Sequence, residues 1–249
     1  MKEKQKFSIF PFLIMGVFLV FASSCDKDKD NDPASNNPTN GKTTAVFNPS
    51  VTYGTMTDQD GNVYKTVTIG TQTWMAENLK VTKYNDGIAI PNVTDNTAWK
   101  ELTTGALCDY ANTPSNSETY GKLYNWYAVK TGKLAPKGWH VPSDAEWTEL
   151  TNYLGGTSVA GGKLKETGTT HWASPNTGAT NETGFTALPG GTRYSSGAFD
   201  DIGTSGVWWS ATENNATSAW DRIVYLNYSD VVRGYFNKEV GFFVRCVRD

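Results

Sequence analysis

His140, Ser143, Asp144 and Glu146 fall in one short stretch, GWHVPSDAEWTELTNYLGG (138–156), between Trp139 and Trp147. An imidazole, a hydroxyl and two carboxylates are the groups from which hydrolases assemble acid–base and nucleophilic sites. A structural use competes for the same residues. Ser143 followed three positions later by Glu146 is a capping box, in which each side chain satisfies a backbone N–H at a helix start. Pro142 disfavours helix at Val141, so the chain enters from an extended segment. Trp147, Leu150 and Leu154 then recur at i, i+3 and i+7, an apolar stripe for a core, and Gly155-Gly156 ends the helix. His140 sits in a strand-like run, and the other histidine, His171, stands beside Trp172 in a loop-like region. Neither belongs to a cluster with metal-ligand spacing. There is no G-x-S-x-G elbow, Walker loop or G-x-G-x-x-G. The stretch is therefore assigned to starting a helix, with no catalytic residue, cofactor or metal.

The elements around it begin with residues 1–24, where Lys2, Lys4 and Lys6 precede an apolar run from Phe7 to Phe21 and small residues Ala22, Ser23 and Ser24. That is the layout of a secretory signal, too short in its apolar part for the ~20 residues of a membrane span. Phe21-Ala22-Ser23-Ser24-Cys25 resembles the lipobox of bacterial lipoproteins, which implies lipidation of Cys25 and a membrane anchor. Residues 25–49 hold almost no apolar side chain before Val46 and Phe47 and are expected to be a disordered linker. Asp26-Lys27-Asp28-Lys29-Asp30 is not a calcium loop, because Asn31 and Asn37 stand where such a loop needs Gly and Glu. The acidic run resembles the export signal of Bacteroidota-type surface lipoproteins, which implies the outer face of the outer membrane.

Without residues 1–24 the chain carries 19 Lys and Arg against 24 Asp and Glu, a net charge of −5. A modestly acidic exported domain without a basic run is a poor partner for nucleic acid. With Cys25 lipidated, Cys108 and Cys246 remain in an oxidising compartment. They suggest one disulfide, worth ~4–5 kcal/mol for so long a loop, the alternative being two free buried thiols.

Residues 50–249 read as one domain. Asp60-Gly61 before Val63–Ile69 predicts a hairpin, and Asn85-Asp86-Gly87 another turn. Helices are expected near 121–130 and 143–154, and strands at 206–212, 222–228, 231–236 and 241–247. The class is α+β and loop-rich, with two short helices and a twisted antiparallel sheet.

GNVYKTVTIGTQTWMAENLKVTKYNDG (61–87), YGKLYNWYAV (120–129), PKGWHVPSDAEWTEL (136–150), GFTALPGGTR (184–193), WWSATE (208–213) and GFFVRCVRD (241–249) resemble the Fibrobacter succinogenes major paralogous domain. That resemblance implies exported bacterial proteins, often lipoproteins. A more distant similarity is to the formylglycine-generating (sulfatase-modifying) enzyme superfamily, whose Leu-Pro-Thr-Glu-Ala-Glu-Trp segment matches Val141–Trp147. It implies an elaborated C-type lectin-like fold. The copper-binding Cys-x₄-Cys pair of that superfamily is missing, and Cys246 matches its terminal, disulfide-forming cysteine, so the oxidase chemistry does not carry over. Glu213-Asn214-Asn215 and Trp220-Asp221 only faintly echo the calcium motifs of C-type lectins.

The expected function is a surface-displayed, non-catalytic binding module for glycan or another protein. Aromatic rings at a surface stack on sugars or anchor protein contacts. Trp139, Trp147 and alternate residues of 206–212 are assigned to the core. Trp99, Trp172, Trp220 and Tyr235, in loop-flanking settings, are the candidate ligand contacts, with Arg193 and Glu213 as polar partners or as a buried pair. Two alternatives stand beside this: an enzyme on the same scaffold, its site gathered from distant loops, and an accessory subunit of a surface assembly.

Overall fold

The β-branched and aromatic runs pair into two main antiparallel sheets, seen in a computed structural model that describes residues 41–249. The leader at 1–24, Cys25 and the acidic run at 26–30 lie outside the described residues. No described helix is long and apolar enough to cross a membrane. In the larger sheet, β1 (Gly54–Thr57), β2 (Val63–Ile69) and β3 (Gln72–Met75) are followed by two short strands distant in sequence, β12 (Val247–Arg248) and β6 (Trp139–His140). The Asp60-Gly61 turn joins β1 to β2 as expected, with Gly61 at φ +83° and the Asp58 carboxylate accepting from the Asp60 and Asn62 amides. The second sheet, in the order β11 (Val232–Asn237), β10 (Ser218–Tyr225), β9 (Ser205–Glu213), uses three of the four expected C-terminal strands.

The fourth differs. Gly241–Phe243 makes single bridges to Arg193, Tyr124 and Trp208 and forms no ladder. Successive residues serve different neighbours, so no one strand lies alongside. The remaining pairs are β4 (Leu107–Cys108) with β5 (Leu123–Tyr124), and β7 (Gly190–Arg193) with β8 (Phe199–Ile202).

The described residues hold five short α-helices where the sequence suggested two helices: α1 (Asn96–Lys100), α2 (Pro114–Tyr120), α3 (Trp126–Lys130), α4 (Asp144–Tyr153) and α5 (Thr157–Leu164). The helix expected at 121–130 is reduced to α3. Gly121, at φ +81°, ends α2, and a Cβ there would fall 2.7 Å from Cβ of Asn78. α5 escapes notice because it contains Gly161 and Gly162, which weaken a helix by roughly 1 kcal/mol each. Their need is steric, since a Cβ on either would sit 2.0 Å from the Asp230 carbonyl oxygen or 2.3 Å from that of Gly178.

α4 packs its Trp147 into an aromatic nest. The Trp74 and Trp147 rings lie 4.7 Å apart, and Phe185 meets Trp74 and Trp208 edge-on. The guanidinium of fully buried Arg245 covers the Phe185 ring at 4.1 Å and donates to Asn78 Oδ1 and the carbonyls of Phe185 and Thr186. A second apolar cluster gathers Tyr64, Tyr124, Trp126, Trp209 and Phe242.

Cys108 and Cys246 are free, buried thiols in different clusters, which corrects the expected disulfide. Burial pushes the Cys108 thiol up to about 11 and raises that of Cys246, so both stay protonated and unreactive.

Residues 43–49, expected in the linker, are held against the domain. Phe47 packs edge-on to Tyr53 and beneath the Lys65 ammonium. The Val46 amide donates to buried Glu166 at 2.5 Å, and Thr44 Oγ1 lies 2.8 Å from His171 Nε2. The other ring nitrogen of His171 lies 2.8 Å from Glu166 Oε2, giving an unbroken carboxylate–imidazole–hydroxyl chain. We expect His171→Ala to speed hydrogen exchange at the Val46 amide by about tenfold or more, since one lost hydrogen bond is worth roughly 1 kcal/mol or more when a buried group is left unpaired. Unchanged exchange at Val46 would show that this chain does not hold the segment.

Candidate functional site

The stretch from 138 to 156 has the structural role read from its sequence. Ser143 caps α4, with Glu146 N donating to Ser143 Oγ and Ser143 N to Glu146 Oε2. His140 is clamped between two carboxylates, its Nε2 2.7 Å from Glu146 Oε1 and its Nδ1 2.6 Å from Asp249 Oδ1. Burial lowers the affinity of this imidazole for a proton, but the bonds to Asp249 and Glu146 outweigh it and its pKa rises. The space beside it is small, about 130 Å³, and otherwise lined by Val129, Gly132, Ala135, Val141 and Ala211. Among the described residues no group of three or more His, Cys, Asp and Glu side chains is placed to hold a metal ion.

Three of the six candidate ligand contacts are interior. Trp99 is fully buried beneath the Arg193 guanidinium, which lies 4.2 Å from its ring centre and 4.9 Å from that of Phe199. Arg193 is itself fully buried and donates to the carbonyls of Val93, Thr94 and Gly197 and to Asn96 Oδ1. It forms no pair with Glu213, which instead bonds Lys238 and lies 3.9 Å from Lys130. Trp172 is buried, its indole N–H donating to the Ala187 carbonyl. The Lys165 ammonium faces its ring at 5.4 Å. That ammonium is enclosed by the carbonyls of Thr177, Tyr225 and Tyr228, and burial lowers its pKa to about 8. In so loop-rich a chain the loops themselves build the core, so a tryptophan flanked by loop residues can be interior.

The other two aromatics meet at the surface. Trp220 on β10 stands opposite Tyr235 on β11, the rings 5.7 Å apart and edge-on. Tyr235 is 60% exposed. Arg233, two residues along the same face of β11, lays its guanidinium 3.3 Å from the centre of the Trp220 ring. Its N–H edge is fixed by Asp144, which accepts from Arg233 Nε and Nη2 at 2.9 Å and from Arg222 Nη1 at 2.8 Å. Burial works against this carboxylate, but the two guanidinium groups overcome it and hold its pKa below the usual range. Asp144, the first residue of α4, thus joins the helix to β10 and β11. Sequence reasoning missed it as a site-forming residue because its partners lie 78 and 89 positions away.

Beside Tyr235 opens a cavity of about 350 Å³ whose lining includes Tyr194, Asn215, Thr217, Ser218, Tyr235 and Asn237 and carries no charged side chain. Glu213 contributes from outside the lining. Its bond to Lys238, which also donates to the Ala216 carbonyl, braces the β9–β10 turn that carries Asn215 and Thr217. The Asn215 side-chain oxygen accepts from the amides of Thr217 and Ser218, so the turn is internally fixed. Its side-chain N–H₂ has no partner among the described residues. The arrangement offers an exposed phenol ring, hydroxyls and amides, the chemistry of a polar, uncharged ligand with an apolar face.

No curated protein and no solved structure matches the chain. The family model described as the Fibrobacter succinogenes major domain matches residues 67–248, a span that includes both sheets except β1 and the start of β2, the capped helix α4, the buried Arg193 and Arg245, and the Trp220–Tyr235 pair. On that match, which extends over well over half of its length, the chain belongs to the Fibrobacter succinogenes major domain family.

Proposed function

We propose that the domain is a non-catalytic binding module that takes an uncharged saccharide in the cavity beside Tyr235. The observation that carries this reading is a solvent-open, charge-free cavity flanked by a fixed aromatic ring. A pyranose has one face of C–H groups that stacks on a phenol ring and a rim of hydroxyls that bond amides and hydroxyls. Trp220, held by Arg233 and Asp144, keeps Tyr235 in place before a ligand arrives, which lowers the entropy lost on binding.

The rest of the reading comes from the sequence. Cys25 carries the lipid, the acidic run behind it directs the protein to the cell exterior, and the segment that follows holds the domain off the membrane. The scaffold is C-type lectin-like, distantly related to sulfatase-modifying enzymes and without their copper-binding cysteine pair.

The test is a glycan array followed by calorimetry on the full chain, in a detergent whose headgroup is not a sugar. We expect a neutral glycan to bind, and Tyr235→Ala to weaken it about tenfold at unchanged thermal stability. Absence of any glycan ligand, or full affinity in the variant, would overturn the proposal.

A further inference from the structure

The larger sheet carries a different opening. β1 ends at Gly54, opposite Thr66, while β2 continues to Ile69. Where β1 stops, a groove of about 770 Å³ lies along β2. In this antiparallel sheet Thr68 faces Thr73, their hydroxyls 3.3 Å apart, and Thr66, Thr68 and Thr73 all line the groove. Trp74 pairs with Val247, so the next residue, Arg248, stands across from Thr73 on the same face. Arg248 is exposed, and its guanidinium makes no hydrogen bond or ion pair among the described residues. At the other end stands Tyr153, from the last turn of α4 and 65% exposed. Its ring lies against Gly70, where a Cβ would come within 3.0 Å of it. Glu182 also lines the groove, but Lys163 neutralises it at 3.1 Å.

We infer that this groove is a second binding site, separate from the cavity beside Tyr235, and that its ligand is an acidic saccharide of the uronate type. Each feature has one matching group on such a ligand. The unpartnered guanidinium takes a carboxylate through two parallel N–H···O bonds. Threonine hydroxyls both donate to and accept from sugar hydroxyls. The Tyr153 ring takes the C–H face of a pyranose. A neutral sugar would leave Arg248 unused, which separates this ligand class from the one proposed for the uncharged cavity. A single cation beside a paired carboxylate is too little positive charge for a polyphosphate chain. The groove's volume is in the range of small-ligand sites, roughly 300–1,000 Å³.

The experiment is calorimetric titration of the full chain with trigalacturonate and, separately, with its fully methyl-esterified form. We expect the acid to bind and the ester to bind at least tenfold more weakly, with the acid's affinity falling as salt is raised. Arg248→Gln should cost about tenfold or more and Tyr153→Ala several-fold, both with unchanged melting temperature because both side chains are exposed. Tyr235→Ala should leave trigalacturonate binding unchanged, which keeps the outcome independent of the first cavity. The inference is overturned if trigalacturonate does not bind at millimolar concentration, if acid and ester bind equally, or if Arg248→Gln binds as well as the native chain. It is equally overturned if an extended peptide that adds a strand to the free edge of β2 binds there and the saccharide does not.

Discussion

Arg193→Ala is expected to lower the unfolding free energy by roughly 3–5 kcal/mol, measured as a fall in the urea midpoint. The guanidinium lies between the rings of Trp99 and Phe199, so truncation opens a space in a packed aromatic layer. It also supplies the donors for the carbonyls of Val93, Thr94 and Gly197, which join the segment before α1 to the β7–β8 hairpin. Removing the donors leaves those acceptors without their partners in the interior, at roughly 1–3 kcal/mol for each group that cannot reach water. Arg193→Lys should recover little, because one ammonium cannot span acceptors arranged around a planar fork. Had Arg193 been a ligand contact, its loss would weaken binding and leave the urea midpoint in place. A midpoint shift worth less than about 0.5 kcal/mol would refute the structural role.

Asp221→Asn should act in the opposite direction and only above acid pH. Asp221 is fully buried on β10, and neither carboxylate oxygen has a well-formed hydrogen bond, the Gly234 amide on the neighbouring strand offering only a poorly aligned donor. Burial raises its pKa from 3.8 to about 7, with Arg222 and the Gly234 amide offsetting only part of that. A carboxyl whose pKa is raised on folding binds its proton more tightly in the native state. The native state is therefore favoured at low pH and loses stability as pH rises between about 4 and 7. The loss amounts to about 4 kcal/mol by pH 8, at about 1.4 kcal/mol per pKa unit. Asparagine stays neutral throughout. Variant and native chain should be similarly stable near pH 4, and the variant should melt higher at pH 8. His140, whose pKa is also raised, adds a slope of the same sign near neutrality, but it is common to both proteins and cancels in the comparison. Equal melting temperatures at pH 8 would show that the buried carboxyl is not charged there or has found a partner. The site also explains Gly234 on the neighbouring strand, where a Cβ would fall 2.7 Å from Asp221 Oδ1.

The parts of the fold legible in the sequence are those whose cause is local. The capping box at Ser143 and Glu146 needs four consecutive residues, and the Asp60-Gly61 turn needs two residues with the right backbone freedom. The strands β9, β10 and β11 announce themselves by short aromatic and β-branched runs; β9 and β11 lie within a residue of their expected bounds, while β10 begins four residues earlier than expected. α5 was hidden for the converse reason. Its glycines are chosen by the carbonyls packed against it, so its local preference contradicts its conformation.

The site was half legible. Trp220 and Tyr235 were singled out as aromatic residues beside loops, as were Trp99 and Trp172, and nothing near them in the chain distinguishes the pairs. Which ring reaches water depends on what covers it. Arg193 closes over Trp99, and Lys165 with three carbonyls packs beside Trp172, whereas no described residue covers Tyr235 on β11, which stays exposed. The sequence by itself determined the capped helix, the Asp60-Gly61 hairpin, three of the four C-terminal strand runs and the family motifs, because residues a few positions apart interact whatever the rest of the chain does. The tertiary structure alone decided that Cys108 and Cys246 stay apart, that Arg193 is a core residue, and that Asp144 unites two arginines beneath the Trp220–Tyr235 pair. Each of those outcomes depends on contacts between residues tens of positions apart, and burial and charge pairing at that separation are set only once the sheets have closed on each other.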